Sequence, residues 1–523
     1  MTTRSLETDP LFGPDDDRIE RDQDPAGYNA RSLYNVRGFE PVRTEFRHGP
    51  VEISGRLPAD LEGVYLRNGT NVPFDRSHVR THTFNGPGML HQIDIHRGVA
   101  TYSNTYVRTP RFDAEERAGR EVYLAFSDLA GGGRATLEKM QLLEAKKRRG
   151  SIPPLSPFES TTASTSVQFH AGKLYCLQET GYPFVLEAGR DGERLTLDGT
   201  GYLESWNGEL RSAFSAHPRI DPVTGDFYNV GLDRVGGGIF LSQVSDGALR
   251  AQRLVHQQTE ATGRTAYVHD YFLTDRYLVF ADTSLRSDAK RLASDTGSVF
   301  FFDPAYRMRW GVVPRDPSAG DEGRWFDMSS AGTMWHTING WEEPSPGGGT
   351  QIVLYAPVFD GYPPDIPIHT PAEPAAKVYK FVLDLESGRV SERLLLDHGY
   401  ERPSINLAYT GKPNRFAYLL DEERAHGYMG KGVLKYDLLD EREAGYLDYG
   451  DEFGGEPLFV PKRDAIDEDD GYLLDLLMTD DAAALVVMDA RTLTEVARLG
   501  LPARVPFGVH ACWLDEEKLA ALS

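Results

Sequence analysis

Residues 471–502 read GYLLDLLMTDDAAALVVMDARTLTEVARLGLP. The stretch parses as a strand, a turn at Asp480-Asp481, a second strand, a turn at Ala490-Arg491-Thr492, and a third strand. An up-and-down meander of this spacing, repeated about an axis, is how a β-propeller blade is built. Working outward, the same grammar recurs along the chain. VYLRN (64–68), MLHQIDIH (89–96), ATYSNTYVRT (100–109), YLVFAD (277–282), QIVLYAPV (351–358), KVYKFVLDL (377–385) and VLKYDLL (433–439) are short apolar or alternating runs. Turn clusters such as DPVTGD, LESGR and TGKPN separate them. No dipeptide signature recurs at a fixed period, so pattern alone leaves a large β-sandwich open beside the propeller.

Composition agrees with many short strands. The 523 residues include 52 Gly and 32 Pro, and aromatics make up 11%. A formal net charge of −23 argues against a nucleic-acid partner, because the chain and the phosphates repel each other. Two cysteines, Cys176 and Cys512, suffice neither for a disulfide framework nor for a cysteine-rich zinc site. With no secretory signal at the start and no run of 18 apolar residues, the expected location is the cytoplasm. Residues 1–26 read as an acidic, disordered tail, and 27–523 as a single domain.

One segment breaks the β pattern. Residues 135–150 (ATLEKMQLLEAKKRRG) are rich in strong helix formers and stop at Gly150. Together with the proline-rich loop that follows, they form an insertion over 135–158. Leu137, Met140 and Leu143 or Glu144 are expected to share one face and pack on the body. A second reading lays the helix on a membrane surface, its basic end among anionic headgroups.

The chain carries no HExxH, CxxC pair, GxGxxG, P-loop or GxSxG motif. His91 and His96 lie five apart on one strand and point to opposite faces. Four other histidines sit in apolar or small-residue settings beside turns: His217 in FSAHPRID, His269 in AYVHDYFLTD, His336 in GTMWHTING and His510 in PFGVHACW. Taken singly, each reads as a satisfied core or turn histidine. Their separations of 52, 67 and 174 residues fit no short metal motif. In a closed propeller, however, inner strands from different blades converge on the axis, where distant residues meet.

From about Gly38 to Trp513 the chain resembles the carotenoid cleavage oxygenases, non-haem iron enzymes that split alkenes. The resemblance rests on an ordered set: LPADLEGVYLRNGTNV, FNGPGMLH, NTYVRTPRF, the four histidine segments, and GEPLFVPK followed by DEDDGYLL. It implies an all-β, seven-bladed propeller, with inserted helices and loops forming a cap over an axial site. It also implies one Fe(II) per chain on His217, His269, His336 and His510. Glu179 (LQETGYPF), Glu401 (GYERPSIN) and Glu456 (GGEPLFVP) match the carboxylates that receive N–H bonds from His269, His336 and His510, leaving His217 without one. Thr165 matches a threonine that crowds the open side of the metal in some relatives. The chain departs from the family at Asn85 and Pro87, where acidic residues are usual, and at Ala511, where glycine is frequent. Ser164 and Ser166 replace asparagines.

The resemblance further implies a lipophilic alkene and O2 as partners. It favours a carotenoid or apocarotenoid, because stilbene-cleaving members carry a lysine where this chain has Gln178. A stilbene or phenylpropenoid remains the alternative substrate. A propeller that binds a hydrophobic ligand without catalysis is the alternative of another class.

Overall fold

The computed structural model describes residues 11, 14–23, 37–74, 82–192, 194–233, 236–257, 265–293, 298–320, 323–362, 374–423 and 429–522. Seven antiparallel sheets stand around a common axis as the blades of a propeller. The stretch 471–502 supplies three strands of blade 7, Gly471–Met478, Ala483–Asp489 and Thr494–Gly500, with Leu458–Pro461 innermost. Blade 1 combines the C-terminal strand Ala511–Leu514 with Gly63–Thr70, Gly88–His96 and Val99–Tyr106. Blades 2 to 6 are four-stranded and begin at Ser166, Arg219, Tyr271, Asn339 and Tyr400.

The ring is closed twice. On the inside, Ala511–Leu514 pairs with Val64–Arg67 from the other end of the chain. On the rim, Gly49–Pro50 pairs with the outer strand of blade 1, and Glu52–Gly55 pairs with the outer strand of blade 7. One short N-terminal segment thus stitches the same two blades that the last strand joins.

The core lies between the blades. One cluster of Tyr65, Ile93, Leu474 and Leu485 fills the junction of blades 1 and 7. Comparable clusters fill the other six junctions. Middle strands are therefore covered on both faces, and every residue of Gly471–Met478 is buried. Outer strands such as Arg442–Asp448 keep one face in water.

A cap is inserted between blade strands. It contains the helices Phe126–Leu129 and Gly133–Arg149 and a three-stranded sheet of Thr265–Ala266, Leu285–Ser287 and Phe300–Phe302. The longer helix ends at Gly150, whose φ of +71° suits a residue without a side chain. Its buried residues are Ala135, Thr136, Leu143 and Lys146, whereas Met140 is exposed. Of the stripe expected from the sequence, Leu137 and Leu143 pack on the body, while Met140 and Glu144 face solvent. Lys139 pairs with Asp128 at 2.7 Å and Lys146 with Asp16 at 2.5 Å, so two lysines outside that stripe also turn toward the body.

Asp16 belongs to a helix, Pro14–Gln23, within the segment read from sequence as a disordered tail. Asp15, Asp16 and Asp17 occupy its first turn, where negative charge favours the helix dipole. The sequence reading missed its anchor, because the partners Arg120, Glu138 and Lys146 lie more than 100 residues away. No helix among the described residues is long and apolar enough to cross a membrane.

Candidate metal centre

Each of the four histidines precedes an innermost strand. His217 comes two residues before Arg219–Ile220 of blade 3, and His269 two before Tyr271–Leu273 of blade 4. His336 comes three before Asn339–Pro344 of blade 5, and His510 one before Ala511–Leu514 of blade 1. Entry loops at one end of the ring therefore aim four imidazoles at the axis. Their nearest ring nitrogens all lie within 4.8 Å of one another. His217 Nε2 and His269 Nε2 are 3.1 Å apart, and the His217 and His510 ring centres 4.4 Å.

The remaining three blades contribute carboxylates. Glu179 follows the second strand of blade 2, and its Oε1 lies 2.6 Å from His269 Nδ1. Glu401, on the inner strand of blade 6, contacts His336 Nδ1 through Oε2. Glu456, just before the inner strand of blade 7, lies 3.0 Å from His510 Nδ1. All seven blades thus supply one residue each, and among the described residues His217 is the imidazole without a glutamate. Thr165 is placed on Glu179, with its Oγ1 3.3 Å from Oε2.

Burial governs protonation. His217 and His336 are held well below the ordinary imidazole value, first by desolvation and then by the neighbouring histidines. Desolvation is the largest influence on His269 and acts to lower it, but the neighbouring carboxylates, Glu179 first and then Asp270 and Glu401, together raise that ring. Desolvation pushes Glu401 up to about 6.

The arrangement suits a metal ion. Neutral imidazoles with nitrogen lone pairs converging on one point serve Fe, Zn, Cu or Ni. His336 Nε2 is buried without a hydrogen-bond partner among the described residues, an isolation that a metal bond would relieve. An ion about 2.1 Å from each nitrogen needs them roughly 3–4 Å apart, a spacing that the cluster permits. Orienting the far ring nitrogen by a carboxylate is the usual second contact of a metal-bound histidine.

Asp270 was not singled out from the sequence, although it directly follows His269. Its carboxylate accepts from the Thr337 N–H and hydroxyl, both at 2.8 Å, and pairs with Arg219. One aspartate thus ties together the residues beside His217, His269 and His336. The motif VHDYFLT carried the only local signal, a charged residue among apolar ones.

Aromatic rings wall the cluster on the cap side. Tyr267 stacks near His269 with ring centres 6.2 Å apart, and Trp335 meets the same imidazole edge-on at 5.4 Å. Phe300 continues from Tyr267, and Phe126 from Phe300. The Gln178 carbonyl oxygen accepts from the Thr161 hydroxyl at 3.3 Å and the Thr162 N–H at 3.1 Å.

Residues 39–515 match the family described as Retinal pigment epithelial membrane protein. The chain is 30% identical to carotenoid 9,10(9',10')-cleavage dioxygenase 1 of Arabidopsis thaliana, over 93% of this chain and 90% of that protein. It is 28% identical to lignostilbene-alpha,beta-dioxygenase isozyme III of Sphingomonas paucimobilis, over 92% and 96%. Among solved structures, Pseudomonas brassicacearum lignostilbene dioxygenase superposes with a TM-score of 0.77 at 26% identity, covering 92% of this chain and 98% of that one. Cobalt-substituted Synechocystis ACO, at 22% identity and a TM-score of 0.74, shares the fold; the match covers 93% of this chain and 98% of that one.

Proposed function

The chain belongs to the retinal pigment epithelial membrane protein family, the carotenoid cleavage oxygenases, and on that premise we propose that it is a non-haem iron(II) oxygenase. Its substrate in this reading is a carotenoid or apocarotenoid, cut at one conjugated C=C bond to give two carbonyl fragments. The observation that carries the reading is the cluster of four imidazole nitrogens within 4.8 Å, three of the rings backed by carboxylates.

His217, His269, His336 and His510 would hold one iron(II) per chain. When bound, the ion supplies the electrons that make dioxygen reactive toward an alkene. The protein's own part is geometric and electrostatic. Glu179, Glu401 and Glu456 fix the Nδ1 side of their imidazoles, leaving the other nitrogen to face the axis. Three carboxylates offset the ion's charge in a buried setting, and no side chain is needed as an acid or base for the cleavage. Thr165 positions Glu179. The Tyr267, Trp335, Phe300 and Phe126 rings exclude water and offer flat apolar faces along which a conjugated chain fits.

Gln178 supports a polyene over a stilbene. A neutral amide held by Thr161 and Thr162 provides no cation for a phenolate, a charge-assisted bond worth about 1.5–3 kcal/mol. Similarity to lignostilbene dioxygenases keeps the stilbene reading as the alternative.

The test couples metal analysis of the purified chain to an aerobic product screen by mass spectrometry, with β-carotene, apocarotenals and hydroxystilbenes side by side. About one iron per chain with aldehyde fragments from a polyene is the expected result. Changing His269 or His510 to Ala should abolish both iron retention and turnover. Fragments from hydroxystilbenes alone would select the alternative substrate. A chain that takes up no iron and cleaves nothing would leave a ligand-binding propeller.

A further inference from the structure

Of the arginines buried among the described residues, Arg67 and Arg402 lie beside the candidate metal centre, and the proposed chemistry uses neither. Arg67, on the second strand of blade 1, is 1% exposed, and Arg402, directly after Glu401, is 2% exposed. A cation so deeply buried is costly unless its surroundings compensate it, so each position calls for a reason.

Both arginines converge on the loop that carries His510. Arg67 Nη2 donates to Pro506 O at 2.6 Å. Gly508 packs so closely that a Cβ there would lie 2.9 Å from Arg67 Nε. Arg402 sits over the Phe507 ring, its Cζ 5.5 Å from the ring centre. Arg402 Nη2 is 2.6 Å from Glu422 Oε1, its counter-ion.

The backbone of Arg402 reaches the other arm of the site. With φ at +41°, it occupies a region that residues with side chains seldom adopt, so its surroundings must hold it there. In that conformation its N–H donates to Glu401 Oε2 at 2.5 Å. The same oxygen faces His336 Nδ1. One residue therefore touches the His336 arm through its main chain and the His510 arm through its side chain.

We propose that Arg402 is a positioning residue that couples the Glu401–His336 arm of the metal centre to the loop carrying His510, with Glu422 as its charge partner. The inference rests on the metal reading above. If Arg402 only joined blades, its loss would weaken the fold without altering how a metal is held.

The experiment uses the full chain loaded with Co(II), whose visible absorption bands report ligand geometry. Wild type is compared with Arg402→Lys, Arg402→Gln, Glu422→Gln and Phe507→Leu. Co(II) affinity is measured by chelator competition, and Tm is measured without metal. Arg402→Gln should lower Co(II) affinity 10- to 100-fold and shift the bands at full occupancy. Arg402→Lys, which keeps the charge but loses the planar fork, should shift the same bands while remaining folded. Glu422→Gln and Phe507→Leu should shift them in the same direction by less. A fall in metal-free Tm with affinity and bands unchanged would overturn the proposal. Bands that respond to Arg402→Lys but not to Phe507→Leu would overturn the coupling to the His510 arm. Failure of the wild type to bind Co(II) or Fe(II) would overturn the metal reading, and this inference with it.

Discussion

At the scale of single residues, Glu401 shows how much one side chain is asked to do. It is buried, faces His336 Nδ1, and accepts from the main-chain N–H groups of Arg402 and His336 at 2.5 and 3.3 Å. Replacing it with Gln keeps the shape but removes the charge and offers His336 an amide. We expect Glu401→Gln to lower metal affinity 10- to 100-fold, measured by chelator competition; unchanged affinity would remove Glu401 from the site. Asp475 gives a pH prediction. It is fully buried beside the Tyr449 hydroxyl and the Gly455 N–H, and desolvation pushes it from its ordinary 3.8 up to about 6. A raised native value means the folded chain holds the proton more tightly than the unfolded one. That contribution to stability is complete below about pH 3 and is lost as pH rises through 6. Asp475→Asn mimics the protonated form and lacks this term. The stability of wild type relative to the variant should therefore fall by about 3 kcal/mol between about pH 3 and pH 7, most of it between pH 4 and pH 6, then level off. Thermal melts across that range check it, and a difference that grows with pH contradicts it. The four histidines were visible as isolated imidazoles in apolar settings, and only the ordered resemblance grouped them. Asp270 and Arg402 were not legible, because a buried charge differs from a surface one only through partners on other blades: Arg219 and Thr337 for Asp270, Glu422 and Phe507 for Arg402.

At the scale of elements, the strands announced themselves where turns bounded them. Gly471–Met478, Ala483–Asp489 and Thr494–Gly500 fall where the turn residues of 471–502 put them. Their facing was harder to read. A blade packs against a neighbour on each side, so a middle strand such as Gly432–Asp437 is buried throughout and shows no alternation. The helix Gly133–Arg149 was legible in its composition, in its stop at Gly150 and in the packing of Leu137 and Leu143, but the rest of its buried face was not. Lys146 lies inward because Asp16 awaits it, a contact that no local pattern encodes. This pairing carries a prediction. Ile19 is buried, and Asp16, Asp17 and Arg18 pair with Lys146, Arg120 and Glu138, so among the described side chains of Pro14–Gln23 an apolar anchor and ion pairs to the body hold the helix. A helix of ten residues has little stability of its own. Ile19→Asp places a charge in the apolar seat and should release the helix. Trypsin should then cut at Arg18 on the order of ten times faster, with the Tm of the propeller unchanged, since undocked segments are cleaved in proportion to their open population. An unaltered cleavage rate would mean that the ion pairs alone hold the helix.

For the whole molecule, the seven-fold ring explains why residues far apart in sequence share a site, and it sets two independent constraints on the same seam. The rim is sewn by Gly49–Pro50 and Glu52–Gly55, while the inside is sewn by Ala511–Leu514, directly after His510. A metal on His217, His269, His336 and His510 would pin blades 3, 4, 5 and 1 from the axis, far from the rim stitch. A ligand that binds only the folded ring stabilises it by about 2.7 kcal/mol at a hundredfold excess over Kd. For a chain of 523 residues unfolding as one unit, that is a rise in Tm of about 2–3 °C. The two constraints should add, because they touch different side chains. Ile53, half-buried in the rim strand, packs against the cluster between blades 1 and 7. Ile53→Asp should lower the Tm of the metal-free chain while leaving the increment from added Fe(II) or Co(II) intact. His510→Ala should do the reverse, keeping the metal-free Tm close to wild type and abolishing the increment. Calorimetry with and without metal on these two variants separates axis from rim. If Ile53→Asp also erased the increment, the rim and the axis would not be independent constraints, and closure of the seam between blades 1 and 7 would be required for metal retention.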